Sequence, residues 1–343
     1  MSGFDFERPK ELEATMPAEE RGIGRDGVRL LITGPSGVEH ASFRDLAERL
    51  RAGDLLVVNE SATVPASLPA HGRWGDFRLN LSTDYGGGTW LAEPRWGAAQ
   101  PGPIPMDPGT EFEAAGVPFR TIEPFPGIER LWFVRALTDL SGPMRELGTP
   151  IQYAYVPRPY PLTTYQTVFA RVPGSSEMPS AGRPFTPRVV RAVAERGIRI
   201  ASVWLHAGVS SLEGAGTTLP PVYPEPFEVG RTTADLVNRT RSEGGRVVAV
   251  GTTVLRALET AWDGGQVVPR RGFTRLVLGP GRSVRSVDGL ITGLHDPRTS
   301  HLALLFGFAG EDSVRTAYAE AVERRYLWHE FGDSHLAWAA RAG

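Results

Sequence analysis

Cysteine is absent from this chain of 343 residues. That absence excludes disulfide bonds, thiolate metal ligands and cysteine nucleophiles. Lysine is almost absent as well: Lys10 is the only one, so nearly all positive charge is arginine, a bias that a GC-rich genome explains more simply than function does. Any chemistry must therefore come from His, Asp, Glu, Tyr, Ser, Thr or Arg.

Long hydrophobic runs are also missing. No stretch approaches the roughly 18 to 20 uninterrupted apolar residues of a membrane-spanning helix. The N-terminal segment is acidic and contains proline, which is not the pattern of a signal peptide. We therefore expect a cytoplasmic protein with no membrane partner.

A strong charge of either sign is the third absence. The formal net charge is -2, which gives the chain no general attraction to nucleic acid, although a local basic patch stays compatible with it. The apolar share of 41% and the charged share of 22% are ordinary for a folded protein. Because single cores stop growing at roughly 250 to 300 residues, we expect two domains or one large domain with an insertion.

Several ligand-binding motifs are missing too. There is no G-x-G-x-x-G after a strand, no P-loop and no G-x-S-x-G elbow, which argues against dinucleotide, nucleoside-triphosphate and α/β-hydrolase sites. His295 and His301 lack the His-x-x-x-His spacing, and no carboxylate completes a ligand set. We expect no metal.

The pattern that is present changes along the chain. Residues 42–59 indicate a helix and a strand, with Ser42 and Asp45 as a capping pattern and Gly53 as the helix end. From about residue 65 to 150, short alternating runs such as "FRLNLS" and "ERLWFVRAL" are separated by Gly and Pro, which is typical of a small antiparallel sheet or barrel.

Helices and strands then alternate to the C-terminus, as in a mainly parallel sheet covered by helices. The sequence therefore predicts an α/β fold, a barrel-like α/β domain interrupted by a smaller antiparallel β-barrel insertion. The predicted boundaries are residues 1–65 plus 150–343 for the α/β domain and residues 66–149 for the inserted β domain.

Polar residues follow three of the predicted strands, in "LHAGVSS", "GTTVLR" and "TGLHDP". Ligands of α/β sheets bind where strands end and helices begin, so the sheet should bring these three segments to one rim. In the second segment Gly251, Thr252 and Thr253 open a helix and could cradle a carboxylate or phosphate, although an ordinary Thr N-cap is the simpler interpretation. Arg256 and Glu259 follow as either a surface i,i+3 pair or a pair facing the rim.

His206 and His295 lie in the other two segments and could act as bases near neutral pH. Each of them, taken alone, is explained equally well as a satisfied polar residue at a strand end.

Taken in order, these pieces resemble the S-adenosylmethionine:tRNA ribosyltransferase-isomerase family of queuosine biosynthesis. The resemblance runs from "FDFERPKELEATMPAEERG" to "FGDSH". It is carried by "HASFRDLAERLRAGDLLVVNESATVPASL", "YQTVFARVPGSSEMPSAGRPFT", "LHAGVSSL", "GGRVVAVGTTVLRALETA" and "LVLGPGRSVRSVDGLITGLHDPRTSHLALLFGFAG". It implies an α/β domain interrupted by a smaller β domain.

The resemblance also implies a reaction. The ribosyl carbons of S-adenosylmethionine pass to an aminomethyl-deazaguanine base in tRNA, while adenine and methionine leave. Such a site needs a general base for an acidic C5′ hydrogen, a cradle for the methionyl carboxylate and an apolar slot for adenine. S-adenosylmethionine as co-substrate and tRNA as partner are thus the expectations, with a monomer as the expected assembly.

The resemblance implies roles for individual residues, at the positions where this sequence matches the family's motifs. Catalytic roles are implied for His206, Arg256, Glu259 and His295. Binding of S-adenosylmethionine is implied for Tyr165, Gln166, Thr167, Ser180, Ala181, Gly182, Gly208, Glu225, Gly251, Thr252 and Thr253.

The sequence also departs from the family's motifs. "NESATVPASL" has Ala62 and Ser67 where the family has arginines, "PSAGRPFT" has Pro184 where it has histidine, and "YPE" keeps only the glutamate of its H-S-E segment. Losing two arginines removes contacts to RNA phosphates. Two alternatives therefore stay open beside the tRNA enzyme: a paralogue using S-adenosylmethionine on a small-molecule acceptor, and a binding protein without catalysis. The tRNA enzyme predicts a basic surface with arginines such as Arg73, Arg78 and Arg95.

Overall fold

The structure is a computed structural model that describes residues 6–97, 100, 102–209, 223–297 and 299–340. Its strands are, in chain order, Arg29–Gly34 (β1), Gly37–Ser42 (β2), Leu55–Asn59 (β3), Ser61–Thr63 (β4), Ser67–Gly72 (β5), Gly75–Gly86 (β6), Thr89–Arg95 (β7), Glu111–Ala114 (β8), Val117–Pro124 (β9), Trp132–Ala136 (β10), Val172–Ser175 (β11), Arg199–Leu205 (β12), Glu225–Val229 (β13), Val247–Val250 (β14), Trp262–Asp263 (β15), Gln266–Val267 (β16), Arg270–Thr274 (β17), Gly289–Gly293 (β18) and Ser334–Trp338 (β19).

The α-helices are Ser141–Leu147 (α1), Pro187–Glu195 (α2), Arg231–Ser242 (α3), Thr252–Thr260 (α4), Ser300–Ala309 (α5) and Glu311–Glu323 (α6). Short 3-10 helices cover Lys10–Leu12, Ala18–Arg21, Arg25–Gly27, Phe43–Arg49, Leu162–Tyr165 and Ser180–Gly182. No helix in the described part of the chain is long and apolar enough to span a membrane.

A mixed sheet of nine strands forms the larger part of the molecule, in the order β17-β13-β12-β3-β14-β18-β19-β1-β2. Its centre is parallel, because β3 pairs in parallel with β12 and β14, and β14 with β18. Helices cover both faces: Leu55 and Val57 pack in a core that includes residues of α3 to α6, whereas Leu56 and Val58 pack with α2 and the 3-10 helix at 43–49. Fully buried apolar strands are expected for such a sheet.

The carboxyl ends of β3, β12, β14 and β18 lie at one edge, which we call the rim. The last strand, β19, runs antiparallel to β18, with Gly293 opposite Ser334. The residues that lead into β19 therefore lie at the same rim as the residues that follow β18.

The smaller sheet is a closed antiparallel barrel of six strands, β10-β7-β6-β5-β8-β9. Alternate side chains fill its interior, among them Leu68, Leu79, Phe119 and Val134, all fully buried. Closure removes the free strand edges that an isolated small sheet would expose.

The barrel begins and ends at the rim. The chain leaves β3, forms β4, builds the barrel and returns through β11, which pairs in parallel with β4. Ser82 of β6 touches the rim directly: its carbonyl accepts from Ser176 Oγ at 2.7 Å, and its hydroxyl accepts from the Val209 amide at 2.9 Å.

The predicted fold class, a mixed α/β protein with an antiparallel β-barrel, is confirmed. Two details of the prediction were wrong. The helix expected after Ser42 is a 3-10 helix that ends at Arg49 instead of reaching Gly53, although Asp45 does accept from the Ser42 amide at 3.3 Å. Arg95 adds nothing to a basic surface, because it is fully buried and paired with Glu93 at 3.2 Å.

Candidate active site

Asn59, the last residue of β3, ties three strand ends together at the rim. Its amide nitrogen donates to the Leu205 carbonyl at 2.9 Å and to Thr253 Oγ1 at 3.2 Å. Its side-chain oxygen accepts from the amides of Ser61 at 3.0 Å and Leu205 at 3.2 Å. A single buried amide thus fixes the spacing between the ends of β3 and β12 and the start of α4.

His206 follows β12 and lies next to the strand ends that Asn59 connects. Its Nδ1 lies 2.7 Å from Ser61 Oγ, and its ring stacks on Trp204 with centroids 4.6 Å apart. Gly174 lies beneath the ring so closely that a Cβ there would meet the imidazole at 2.6 Å. Burial lowers the pKa of His206 to about 4, so the imidazole is neutral at physiological pH.

Arg256 pairs with Glu225 and not with Glu259. The Nη1 group of Arg256 binds the Glu225 carboxylate, and its Nε donates to the Leu276 carbonyl at 2.9 Å. The other oxygen of Glu225 accepts from the Gly208 amide at 3.1 Å, so the pair also holds the segment after β12. The Nη2 of Arg256 is buried and has no partner among the described residues.

Glu259 lies one turn further along α4 and serves a loop. Its Oε1 accepts from the backbone amides of Arg285 at 2.7 Å and Ser286 at 2.6 Å. These bonds hold the segment that leads into β18. Glu259 and Arg256 therefore have different partners.

The N-terminus of α4 points at the rim. Gly251 precedes it with φ of +103°, a conformation that favours glycine. The Gly251 amide donates to the Ile291 carbonyl at 2.8 Å, which joins the helix start to β18. No described side chain caps the amides of Thr252 and Thr253, so they are available to an anionic ligand.

His295 and His301 stack on each other beyond β18, with centroids 4.8 Å apart. His295 Nε2 lies 2.7 Å from Thr292 Oγ1, and burial lowers its pKa well below the ordinary value. Burial and the nearby charge of Arg256 lower the pKa of His301 to about 4. His301, which the motifs did not single out for a role, thus stacks on His295 within reach of the charge of Arg256.

Tyr165, Gln166 and Thr167 lie across the rim on the return from the barrel. Gln166 brackets Thr63 of β4, accepting from its amide at 3.1 Å and donating to its carbonyl at 2.7 Å. Thr167 is buried and accepts from the Phe169 amide at 3.2 Å. The Tyr165 hydroxyl is buried and has no hydrogen-bond partner in the described part of the chain.

The turn of Ser180, Ala181 and Gly182 packs under the α4 start. Ala181 belongs to the core beneath the sheet, and a Cβ on Gly251 would lie 3.5 Å from the Ala181 Cβ. Gly182 leaves room for Thr167, whose Cγ2 would be 3.3 Å from an added Cβ. Small residues are needed here for close packing.

Two acidic residues at the rim were missed by the sequence analysis. Glu177 accepts from the Tyr153 hydroxyl, and Glu330 lies in the segment before β19. Glu177 lies within the segment "YQTVFARVPGSSEMPSAGRPFT" that carries the family resemblance, but neither residue was assigned a role. Only the antiparallel direction of β19, which the sequence does not reveal, brings Glu330 to this edge.

The rim therefore collects His206, Glu225, Arg256, His295 and the start of α4. Comparison with known proteins identifies what this arrangement belongs to. The sequence model of the family described as "Queuosine biosynthesis protein" matches residues 1–337. The chain belongs to this family.

Relatives in the family match along nearly their whole length. An S-adenosylmethionine:tRNA ribosyltransferase-isomerase of Rubrobacter xylanophilus is 40% identical over 97% of this chain and 96% of its own. The enzyme of the same name from Anaeromyxobacter sp. (strain K) is 35% identical over 98% of both chains. The crystal structure of S-adenosylmethionine tRNA ribosyltransferase from Thermotoga maritima is similar with a TM-score of 0.56 and 30% identity, covering 98% of this chain and 99% of that one.

The positions at which the sequence departs from the family's motifs differ in their structural surroundings. Ser67, at one of the arginine positions, accepts from Arg78, whose Nη2 lies 2.7 Å from the Ser67 carbonyl. An arginine from β6 thus reaches the place where β5 lacks its own. Ser210 and Ser211 of "HAGVSSL" and Arg298 of the segment after β18 lie outside the described residues.

Within the ranges that the structure covers, no group of three or more His, Asp or Glu side chains is arranged to hold a metal ion.

Proposed function

We propose that this protein is an S-adenosylmethionine:tRNA ribosyltransferase-isomerase of queuosine biosynthesis. The observation that carries the proposal is the rim, where a neutral imidazole, a partly unpartnered guanidinium and an uncapped helix N-terminus converge. The names of relatives that span the whole chain support the same activity.

The start of α4 and Arg256 suit the methionyl carboxylate of S-adenosylmethionine. The amides of Thr252 and Thr253 point outward from the positive end of the helix dipole. Arg256 adds a donor, because its Nη2 has no partner among the residues described here. Glu225 keeps that guanidinium in place.

His206 suits the role of general base. Its Nδ1 is held by Ser61, which leaves Nε2 for a substrate, and its lowered pKa keeps the ring able to accept a proton at pH 7. It would take the C5′ hydrogen next to the sulfonium. The electron pair left at C5′ forms a double bond to C4′ as the C4′–O4′ bond breaks, and the O4′ pair forms a carbonyl at C1′ and expels adenine, which leaves with the electron pair of the glycosidic bond and takes up a proton. The acceptor amine then bonds to the ribose-derived fragment and gives up a proton. A ribose hydroxyl oxygen, losing its proton, displaces methionine, which leaves with the electron pair of the C5′–S bond.

The β-barrel is in a position to bind a large acceptor next to the rim. It packs on the rim through Ser82 and Val209, so a base that enters the site passes along its wall. We propose tRNA as the acceptor and the cytoplasm as the compartment. Of the two alternatives, a small-molecule paralogue would not need this wall, and a binding protein without catalysis would not need a neutral base beside an uncapped helix.

The test follows adenine and methionine release by liquid chromatography. The protein is mixed with S-adenosylmethionine alone, with unmodified tRNA, and with tRNA that carries the aminomethyl-deazaguanine base. We expect release only with the modified tRNA.

The same assay, applied to variants, tests the roles proposed for individual residues. His206→Ala and Arg256→Ala should each lower kcat/KM by roughly 100-fold or more, whereas Arg191→Ala, an exposed position on α2, should not. S-adenosylmethionine binding without tRNA-dependent release would favour the small-molecule paralogue, and no binding at all would favour the binding protein.

A further inference from the structure

One face of the nine-stranded sheet is open to solvent at its β12-β13-β17 end. Trp204 is opposite Glu228, and Glu228 is opposite Arg271, so these three side chains lie on the same face. Phe273 shares this face with Arg271, because side chains alternate along a strand. The 3-10 helix at 43–49 and α2 cover this face only at the centre of the sheet. Toward β17 the Arg271 side chain is 76% exposed and Phe273 is 52% exposed.

The barrel extends the open face with three further aromatic rings. Tyr85, near the end of β6, contacts Phe273 with centroids 5.7 Å apart and Phe133 of β10 with centroids 6.0 Å apart. The Phe125 ring follows, 5.8 Å from that of Phe133, and all three barrel rings are partly exposed. The Tyr85 hydroxyl donates to the Pro224 carbonyl at 3.0 Å, which fixes this side of the barrel to the sheet. We call the four rings, Phe125, Phe133, Tyr85 and Phe273, the aromatic strip.

The open face leads to the candidate base. The ring of Trp204 stacks on that of His206, with centroids 4.6 Å apart. The Arg271 guanidinium lies over the Trp204 ring, 5.7 Å from its centroid. Arg271 is two residues from Phe273 on the same face of β17. A continuous row of side chains therefore connects the aromatic strip with His206.

The charges on this part of the face favour an anion. Glu228 lies 3.7 Å from Arg271, but a pair this exposed is weak in water. Arg275 is exposed and forms no ion pair within the described part of the chain. Its charge partly offsets the rise in the pKa of Tyr85, so the two side chains lie close together. Since the whole chain has a net charge of -2, a nucleic acid would need a local patch of this kind.

Exposed rings on a sheet beside arginines suit unpaired nucleotides. Bases of single strands stack on aromatic side chains and on guanidinium planes, and their phosphates pair with arginine. The bases of a duplex are already stacked on each other and offer no free face to such a surface. A protein partner that used the same rings would cover the surface that leads to His206.

We propose that the aromatic strip, together with Arg271 and Arg275, binds unpaired nucleotides of the acceptor tRNA by stacking. The bound nucleotides are those next to the base that is modified, because the row of side chains ends at His206. The inference rests on the proposed function for the identity of the acceptor, and it adds the surface that receives this acceptor.

Substitutions of Phe273 test the stacking. Fluorescence anisotropy measures the binding of unmodified tRNA, a short oligouridine and a short RNA duplex. Phe273→Ala and Phe273→Leu should each bind tRNA and oligouridine roughly ten-fold more weakly than wild type, because both lack a flat ring. Phe273→Trp should bind at least as tightly as wild type, since indole offers a larger ring. Duplex binding should stay within about twofold in all three variants.

Arg271→Ala tests the charge, and Arg241→Ala is its matched control. Arg241 also lies over a tryptophan ring, 5.3 Å from the Trp262 centroid, and 3.7 Å from a carboxylate, that of Asp288. It lies in the last turn of α3, at the edge of the sheet opposite the rim. Arg271→Ala should weaken tRNA binding by roughly three-fold or more and lower its salt dependence by about one counterion. Arg241→Ala should change neither quantity.

The proposal is overturned if Phe273→Ala, folded by its thermal unfolding curve, binds tRNA and oligouridine within about twofold of wild type. A surface for another protein, or for a second copy of this chain, would give that result. Wild-type affinity in Phe273→Leu, equal losses in Arg241→Ala and Arg271→Ala, or no RNA binding by wild type would also overturn it. The proposed function fails separately, when wild type releases no adenine with the modified tRNA although these differences in RNA binding hold.

Discussion

His206, His295 and His301 stay uncharged because burial opposes their protonation. The pKa of His206 and that of His301 are each lowered to about 4, and the pKa of His295 is lowered well below its ordinary value. A site for a sulfonium substrate gains from this, because positive imidazoles would repel the ligand. Glu225 carries a negative charge in the same region, and Arg256 neutralises it.

We predict that Glu330→Gln changes the dependence of stability on pH. The folded-state pKa of about 8 exceeds the ordinary value of 4.5, so the folded protein retains this proton longer and loses stability as pH rises between those values. Glutamine has no such loss. The variant should match wild type near pH 4 and be more stable by about 1 to 3 kcal/mol at pH 8.5, measured by urea unfolding.

The groups that face Glu330 are Glu177 and Arg183, and both are kept in this experiment. Glu323→Gln, exposed to water, should follow the wild-type curve at every pH. Parallel curves for wild type and Glu330→Gln would contradict the raised pKa.

Single residues show how far sequence reasoning reaches. Arg256 was expected either in a surface i,i+3 pair with Glu259 or facing the rim, whereas its partner is Glu225 of β13. A pattern along one helix reveals only neighbours on that helix. The assigned roles of the candidate site residues stay predictions until the variants are measured.

The start of α4 is the element on which the site depends most. The helix follows β14 directly, and Gly251 makes the turn by adopting a positive φ. Its uncapped amides and the Asn59 bond to Thr253 are consequences of this tight connection.

We predict that Gly251→Ala weakens S-adenosylmethionine binding by roughly ten-fold and lowers the free energy of unfolding by about 1 to 2 kcal/mol, since alanine is strained at φ of +103°. Gly310→Ala is the matched control: it precedes α6 with φ of +86° and lies away from the rim. Calorimetry and thermal unfolding separate the effects. Equal loss of binding in both variants would show that the α4 start has no special role.

Elements with a strong periodic pattern were predicted well. The helix that Gly251, Thr252 and Thr253 were expected to open is α4, which begins at Thr252. The 3-10 helix at 43–49 was not distinguished from an α-helix, because both have a similar pattern over seven residues. The direction of β19 depends on contacts between distant segments, which periodicity does not report.

The barrel and the sheet meet where the site lies. Gly208 has the tightest place in this contact: a Cβ there would be 2.3 Å from Ser82 Oγ and 2.8 Å from the Tyr223 hydroxyl. Tyr223 in turn packs with Leu91, Ile128 and Leu131 of the barrel segment. The joint between the two sheets is therefore also one wall of the site.

We predict that Gly208→Ala pushes the barrel from the rim. Adenine release should fall by roughly ten-fold or more, with a loss of about 1 to 3 kcal/mol in stability. Gly230→Ala is the control, because no atom lies within 4 Å of an added Cβ and φ is -71°. Activity and thermal unfolding unchanged in Gly208→Ala would mean that the contact is not rigid.

The overall architecture was the most predictable property of the molecule. The change from alternating helices and strands to short Gly- and Pro-bounded strands indicated the barrel. The relation of barrel to rim was not predictable, since it depends on side-chain contacts such as those of Ser82.

The distance along the chain between β1 or β3 and its partner strands determines when the sheet can form during synthesis. Leu30 of β1 is opposite Ser334, and Asn59 of β3 bonds to Leu205, 146 residues later. Apart from the hairpin of β1 with β2, both strands leave the ribosome long before these partners, whereas the barrel strands pair mostly with close neighbours. Since local contacts close with little entropy loss, the barrel should fold first, and the rim should be completed only when the last strand is released.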